Sequence, residues 1–347
     1  MTNLLQGDVP PTDYDFWDEL WKCSLSVDEI FELISVDDVK KLLASRPGNL
    51  KTIFTQAVAQ LYQVVETPYP VYFDQALSCA RILARVLPLM IENEKDAKVI
   101  HDLFWNKQVA KKKAAEGDAS DETSEPLAVV LINSLFHLLF LPDFTIEDPG
   151  RLFGDDEVNS ADFKGALMWA PGVGSSEKAI VHSTQFDKNR IDILRLMIVA
   201  FSGPLYQNPD AYDPCSSLWL EVATSADAPY AEIAFYSLMN TVLGYDPVGW
   251  GLPYSGLISA DTARPLMETA AQVLVVLLDY GHPIRVDPAE EPGALPSVYI
   301  NDTEAQGYNV FRRIMHSIDD PDQVGRAAYV HSSRSWILST FVCLSRS

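Results

Sequence analysis

Apolar side chains recur at helical spacing along most of the chain, and this periodicity restricts the fold more than any other feature of the sequence. One such segment begins at Pro47, a residue that suits the first position of a helix. The apolar residues that follow it at i, i+3, i+4 spacing are Leu50, Ile53, Phe54, Ala57, Val58 and Leu61. No run alternates convincingly between apolar and polar residues, as a half-exposed strand would. The sequence therefore predicts an all-α fold.

Signals for helix starts support this prediction. Ser26 and Glu29 fit a capping box, in which each side chain bonds to the backbone N–H of the other residue. Ser35 and Asp38 repeat the pattern with the shorter acid. Further helices are predicted near residues 73–90, 94–106, 126–141, 187–203, 215–224, 228–243, 262–280 and 303–318.

Three very apolar helical segments end at Gly or Pro: RILARVLPL (81–89), ILRLMIVAFSGPL (193–205) and AAQVLVVLLDYGHP (270–283). Helices that are apolar on nearly all sides belong in the inner layer of stacked helical hairpins. We therefore expect an irregular α-solenoid of stacked helical hairpins, similar to HEAT or armadillo arrays, with long polar insertions. The predicted array is one domain over residues 1–323, with mobile insertions near 107–125, 145–185 and 283–302 and an atypical tail over 324–347.

Charge and composition exclude several classes of protein. The 347 residues are 48% hydrophobic, and the formal net charge is -22. Nucleic acid and anionic lipid both attract basic surfaces, so we expect no nucleic-acid partner and no general adhesion to anionic lipid. The most apolar run, 127–141, is too short to span a bilayer, and no secretory signal is visible. The four cysteines lie far apart with no CxxC pair, which disfavours a zinc cluster or a disulfide framework. We expect reduced thiols, as in a cytosolic protein.

No segment supplies a complete catalytic or cofactor-binding motif. PGVGSSEKA (171–179) lacks the Gly-Lys-Ser/Thr ending of a phosphate-binding loop. PYSGL (253–257) has Pro where a nucleophile elbow needs its first Gly. The histidines form no HExxH or HxxxH pair. The residues therefore supply no recognisable catalytic, metal or cofactor site.

The segment GYDPVGWGLPYSGL (244–257) is unusually apolar for a connection between helices, which is normally polar. Gly244 fits the C′ position that ends a helix, and Ser259 and Asp261 are candidate caps of the next one. Its prolines and glycines fix or free the backbone at defined points, so we expect a stiff loop. The candidate contact residues are Tyr245, Asp246, Pro247, Gly249, Trp250, Gly251, Pro253 and Tyr254.

Two interpretations of this loop stay open. In the first, Tyr245 and Leu252 wedge between the helices predicted at 228–243 and 262–280. In the second, Trp250 and Tyr254 form a patch that contacts a partner or a membrane.

A second candidate contact motif is FWDELW (16–21), with Phe16, Trp17 and Trp21 as its aromatic residues. On a helix, residues three and four apart are neighbours. We predict that Phe16, Trp17 and Leu20 bury against the helix at 48–65. The alternative is an exposed anchor for a partner, since aromatic residues are common at interface hot spots.

Four motifs occur in a fixed order along the chain. They are FWDELW (16–21), SCARILARVLP (78–88) ahead of a Phe104-Trp105 pair, LLFLPDFTI (138–146) and NTVLGYDPVGWGLPYSGL (240–257). In this order they resemble the high-temperature-induced dauer-former family, a relative of dymeclin. The resemblance covers residues 13 to about 320.

The resemblance implies an all-helical, non-enzymatic, cytosolic protein that sits peripherally on Golgi membranes. There it would work with trafficking proteins in secretory-pathway sorting and vesicle formation. No catalytic residues are known for the family, so none are carried over. Family members commonly begin Met-Gly and look N-myristoylated, whereas position 2 is Thr here, so this anchor is not expected. Family chains are also longer, and the residues after about Gln323 look foreign to the pattern, as from a truncated gene model.

Without the resemblance, the residues also fit a soluble helical enzyme or ligand-binding protein with an unrecognised pocket. A scaffold predicts broad, grooved surfaces, whereas an enzyme predicts one deep pocket with converging polar side chains.

Overall fold

The computed structural model describes residues 2–91, 94–106, 125–153, 160–175, 183–206, 217–246, 261–281 and 309–318. These residues form fifteen α-helices, two short 3₁₀ turns (Pro70–Tyr72 and Gly203–Tyr206) and no β-strand. The α-helices are α1 (Thr2–Gln6), α2 (Tyr14–Lys22), α3 (Val27–Leu33), α4 (Val36–Ser45), α5 (Pro47–Glu66), α6 (Phe73–Ile91), α7 (Glu94–Trp105), α8 (Leu127–Leu138), α9 (Pro149–Phe153), α10 (Ser160–Ala166), α11 (Thr184–Phe201), α12 (Leu218–Ala223), α13 (Ala231–Leu243), α14 (Arg264–Asp279) and α15 (Val310–Ile318). The all-α prediction is confirmed.

The chain divides into two compact units. Unit 1 contains Met1–Phe144 and Asp192–Ala223, and unit 2 contains Thr145–Ile191 and Thr224–Ser347. In unit 1, α4, α5, α6, α7 and α8 each pack against the helix that precedes or follows them, which is compatible with stacked hairpins. The single array over 1–323 stays a prediction.

Helix α5 lies at the centre of the first unit. It packs against α4, α6 and α8, and the apolar face predicted from its spacing is buried. The Phe54 ring meets the Phe104 ring of α7 edge-on, with centroids 5.5 Å apart. Burying a side chain of this kind contributes about 1.5–3 kcal/mol, so the buried face of α5 stabilises this unit.

The amino-terminal segment is fixed to α5 by a buried asparagine. Asn49 donates from Nδ2 to the carbonyl oxygens of Leu4 and Gly7, each at 2.8 Å. Its Oδ1 accepts from the backbone N–H of Val9 at 2.9 Å. A buried backbone group without a partner is costly, so one side chain permits a non-helical segment to lie against the core.

A second buried asparagine joins α14 to α15 in unit 2. Asn309 donates from Nδ2 to the carbonyls of Leu277 and Tyr280, each at 2.8 Å. Its Oδ1 accepts from the N–H groups of Phe311 and Arg312 at 2.9 and 3.2 Å. The same residue therefore satisfies the last carbonyls of one helix and the first N–H groups of the next.

The predicted helix starts are present. Ser26 and Glu29 form both bonds of the capping box, and Ser35 accepts from the N–H of Asp38. Pro47 stands in the first turn of α5. These capping signals depend on residues a few positions apart, so they define a helix start whatever the helix packs against.

The predicted insertions fall mostly outside the described residues, which include neither 107–124 nor 283–302, nor the tail from 319 onward. Within 145–185, the described residues form α9 and α10. Trp169 of this segment is buried together with its neighbours Leu167 and Met168. The described part of the segment is therefore attached through three neighbouring apolar side chains.

Candidate functional site

The FWDELW motif lies on α2, where it is mainly structural. Trp17 and Trp21 are each 1% exposed, whereas Phe16 and Leu20 are half-buried. Trp17 donates from Nε1 to the carbonyl of Pro10 at 2.9 Å, and its ring meets the Phe16 ring edge-on at 5.2 Å. An amphipathic ring that is buried with its N–H satisfied is a core residue rather than an exposed anchor.

The predicted neighbour of α2 is wrong. We expected α2 to pack against the helix at 48–65, which is α5, but its close neighbour is α6. The periodicity of α2 identifies a buried face and contains no information about which helix covers that face.

A polar stripe on α6 explains this choice of neighbour. Ser78 donates from Oγ to the carbonyl of Cys23 at 2.8 Å. One turn along, Arg81 donates to the carbonyl of Leu25 at 2.7 Å. The stripe therefore satisfies carbonyls that the end of α2 leaves without helical partners.

Arg85 extends the stripe to the end of α3. It donates from Nε to the carbonyl of Ile34 at 3.0 Å, and its guanidinium lies 4.2 Å from the centroid of the Phe31 ring. SCARILARVLP, which at the sequence level is an apolar helix, thus positions α2 and α3 through its three polar residues.

Arg81 also forms a partly buried ion pair. Its Nε and Nη2 lie 2.8 and 2.7 Å from Oδ2 of Asp192, on α11. The two residues are 111 positions apart. Sequence reasoning missed this pair because nothing in the sequence relates two residues so far apart.

Of the loop motif 244–257, the structure describes residues 244–246, and the description resumes at Asp261. Pro247, Gly249, Trp250, Gly251, Pro253 and Tyr254 lie outside the described residues, as does Leu252. The wedge and the patch therefore both stay predictions. What the structure describes is how the two ends of the loop are held.

At the first end, Gly244 follows α13 as predicted, but its backbone differs from the expected left-handed C′ glycine. Its φ is -83°, and its N–H donates to the carbonyl of Asn240 at 2.8 Å. A Cβ on Gly244 would lie 2.9 Å from that same oxygen. Glycine is therefore required here by a close backbone approach rather than by a positive φ.

Tyr245 and Asp261 join the two ends of the loop. The Tyr245 hydroxyl donates to Oδ2 of Asp261, and Tyr245 is half-buried while Asp246 is exposed. Asp261 Oδ1 accepts from the N–H groups of Ala263 and Arg264 at 3.3 and 3.2 Å. Of the two candidate caps, the described one, Asp261, caps α14.

This contact moves the pKa of both groups. The bond from Tyr245 lowers the pKa of the Asp261 carboxyl, helped by the backbone N–H groups of Arg264 and Ala263. The same bond, then desolvation, raises the pKa of the Tyr245 hydroxyl. The contact is therefore strongest between the two titrations, across the neutral range.

Asn240, the first residue of the family motif NTVLGYDPVGWGLPYSGL (240–257), has a role that sequence reasoning missed. Its Oδ1 accepts from the N–H of Val173 at 3.0 Å, and its Nδ2 donates to the carbonyls of Val173 and Ala170 at 3.1 and 3.4 Å. A Cβ on Gly172 would lie 2.5 Å from Oδ1 of Asn240. PGVGSSEKA is thus held to α13 at its start, and its first glycine permits the close approach.

A buried ion pair lies on α11 near Trp169. Arg190 Nη1 lies 2.7 Å from Oδ1 of Asp187, one turn earlier on α11, and its guanidinium is 5.2 Å from the Trp169 ring centroid. Desolvation lowers the pKa of Arg190 to about 10, opposed by Asp187. At neutral pH the guanidinium stays charged, so the pair is structural.

No described helix is long and apolar enough to cross a membrane. Nor does any group of three or more His, Cys, Asp or Glu side chains in that part of the chain have the arrangement of a metal site.

Comparison with known proteins decides the family. The sequence profile of the Hid1 family, described as high-temperature-induced dauer-formation protein, matches residues 1–323. The chain belongs to this family. Protein HID1 of Mus musculus is 32% identical over 311 residues, which cover 86% of this chain. Protein HID1 of Homo sapiens is 32% identical over 308 residues and also covers 86% of it.

A more distant Hid1 relative, Protein HID1 of Dictyostelium discoideum, is 27% identical over 366 residues, covering 80% of this chain. The matches span 38% of the length of the mouse and human proteins and 40% of the Dictyostelium protein. The chain therefore corresponds to about two fifths of these relatives. No solved structure matches it.

Replacing Trp17 tests the core role of FWDELW. Trp17→Ala removes a buried ring and the bond to Pro10, so we expect the free energy of unfolding to fall by about 3–5 kcal/mol. Tyr14→Ala, at an exposed aromatic of the same helix, is the matched control and should change it by less than about 0.5 kcal/mol. Urea denaturation followed by circular dichroism measures both. Equal stability of the two variants would show that Trp17 is not a core residue.

Two glycine substitutions test the close approach at Asn240. In Gly172→Ala the new Cβ collides with a side chain that is bonded on three sides, so we expect a loss of about 1–3 kcal/mol. Gly48→Ala is the control, because nothing lies within 4 Å of its Cβ position in α5. Alanine should stabilise that helix by up to about 1 kcal/mol. A neutral Gly172→Ala in thermal unfolding would contradict the close approach.

The contact between Tyr245 and Asp261 predicts a pH dependence with two limbs. Because the pKa of folded Asp261 is lowered, its contribution to stability is complete above the ordinary carboxyl pKa and is lost as pH falls through the lowered one. Because the pKa of folded Tyr245 is raised, its contribution is complete below the ordinary tyrosine pKa and is lost as pH rises through the raised one.

Tyr245→Phe should reduce the lowering of the Asp261 pKa. Carboxyl ¹³C chemical shifts of Asp261, followed by NMR against pH, should report a higher pKa in this variant than in the natural sequence. Tyr14→Phe, at an exposed tyrosine of unit 1, should leave the titration of Asp261 unchanged. An Asp261 titration that is insensitive to Tyr245→Phe would mean that the two ends of the loop are not joined in solution.

Proposed function

We propose that this chain is a non-enzymatic helical scaffold of the secretory pathway. It sits on the cytoplasmic face of Golgi membranes as a peripheral protein and holds trafficking proteins there during sorting and vesicle formation. The observation that carries the proposal is membership of the Hid1 family over residues 1–323. Mouse and human Protein HID1 are each 32% identical to this chain over the aligned residues.

The roles of the buried charged groups support a scaffold. Arg81 and Arg85 hold backbone carbonyls at the ends of α2 and α3, and Asp192 is paired with Arg81. Asp187 and Arg190 are paired with each other. Arg81, Arg85 and Asp192 therefore join α6 to residues of other elements, whereas the pair of Asp187 and Arg190 lies within α11.

The surface charge supports recruitment by proteins. With a net charge of -22, the chain is repelled by anionic lipid headgroups. A peripheral protein of this kind needs either a lipid anchor or a protein receptor at the membrane. Protein contacts at the Golgi are therefore central to the proposal.

Proximity labelling in living cells tests it. The full chain is fused to a biotin ligase, once as it stands and once with a Met-Gly start that permits N-myristoylation. We expect proteins of the cytoplasmic Golgi surface to be enriched with both fusions, more strongly with the Met-Gly start. The Trp17→Ala chain carrying the same ligase is the control for a folded scaffold. If both fusions label only general cytosolic proteins, the proposal is contradicted.

A further inference from the structure

The connection between α5 and α6 exposes an unbroken apolar stretch. Its residues Pro68, Tyr69, Pro70 and Val71, which we call the PYPV turn, are all exposed. Tyr69 is 63% exposed and Val71 is 71% exposed. Connections between helices are normally polar, and contiguous exposed apolar residues on a folded surface mark interaction sites. Pro70 begins the 3₁₀ turn and the Tyr69 ring lies 6.3 Å from the Tyr72 ring, but neither contact explains why Tyr69 and Val71 stay so exposed.

The backbone of the PYPV turn is fixed. The N–H of Thr67 donates to the carbonyl of Gln63 at 2.8 Å, and that of Tyr69 donates to the carbonyl of Thr67 at 2.8 Å. The N–H of Tyr72 donates to the carbonyl of Tyr69 at 2.9 Å, and Pro70 fixes its own φ. A preordered turn loses little conformational entropy when it binds.

The supports of the turn are buried while its own side chains are not. Val64 on the α5 side is buried. On the α6 side the Phe73 ring lies 4.9 Å from the ring of Phe144. The core therefore fixes both ends of the turn, while Tyr69 and Val71 remain mostly exposed, so these two side chains are available for a contact.

The charges around the turn indicate the chemistry of its partner. Glu66 and Asp74 flank it and are exposed. No Lys or Arg occurs between positions 62 and 80. A surface of this kind is complementary to a basic one, and the same acids oppose contact with anionic lipid.

We propose that the PYPV turn is a docking knob that inserts into an apolar pocket rimmed by Lys or Arg on a partner protein. Tyr69 and Val71 fill the pocket, and Glu66 and Asp74 face its basic rim. Tyrosine suits this role because it supplies a large, rigid contact area with a polar tip. The inference rests on the proposed scaffold function only in expecting the partner at the Golgi. Docking itself is measured independently, by crosslinking from position 69.

Site-specific photocrosslinking tests the docking knob. Benzoylphenylalanine replaces Tyr69 in the full chain, expressed in cells, and adducts are resolved by gel and mass spectrometry. Leu33 on α3 is the matched control position, since it is 57% exposed. The end of α3 bonds to Arg85, about 18 Å along α6 from the turn at 1.5 Å per residue. We expect a discrete adduct from position 69 and none from position 33.

Two variants then test the chemistry of the contact. Val71→Asp should reduce the adduct about thirtyfold, as loss of a hot-spot residue does. Glu66→Lys combined with Asp74→Lys should reduce it about tenfold. Since these residues are exposed, both variants should keep the melting temperature of the natural sequence, which excludes unfolding as the cause.

The proposal is supported if the cross-linked partner residue lies in an apolar pocket bordered by Lys or Arg and both variants weaken the adduct. It is overturned if position 69 gives no adduct beyond position 33. An adduct with lipid also overturns it, as does an adduct whose yield is unchanged by Val71→Asp or by the charge reversal. A partner outside the Golgi would support the docking knob while contradicting the scaffold function, so the two failures are distinguishable.

Discussion

Buried asparagine side chains make the non-helical parts of this fold possible. Asn49, Asn240 and Asn309 each accept from at least one backbone N–H and donate to two backbone carbonyls of a segment outside their own helix. An amide can do both at once, whereas a carboxylate only accepts and an ammonium only donates. Without such a partner, each buried backbone group would cost about 1–3 kcal/mol. The irregular segments can therefore lie against helices.

The arginines of α6 apply the same principle to helix ends. The last carbonyls of a helix have no intrahelical partner, and Arg81 and Arg85 supply donors to the carbonyls that follow α2 and α3. The long side chains pass along apolar surface and carry their charge to that point. The position of FWDELW is thus determined by hydrogen bonds from another helix as well as by its two buried tryptophans.

Local signals in the sequence predicted local structure well, and contacts between distant residues remained hidden. The capping box at Ser26 depends on residues three positions apart and is present. The contact of Asn240 with 170–173 spans about 70 positions, and an asparagine in an apolar helix gives no sign of its partner. Gly244 shows the limit within one motif: its place at the helix end was predictable, but its backbone conformation depends on the carbonyl of Asn240.

The two apolar connections of the chain have one physical property in common. The PYPV turn is held by backbone hydrogen bonds, which leaves it few conformations to lose on binding, and the residues that flank the 244–257 loop are joined by the bond from Tyr245 to Asp261. On a chain with a net charge of -22, long-range attraction favours basic partners, and an apolar contact then determines which of them stay bound, mainly through slower dissociation. The proposed scaffold would achieve specificity in this way, through exposed apolar side chains on an acidic surface.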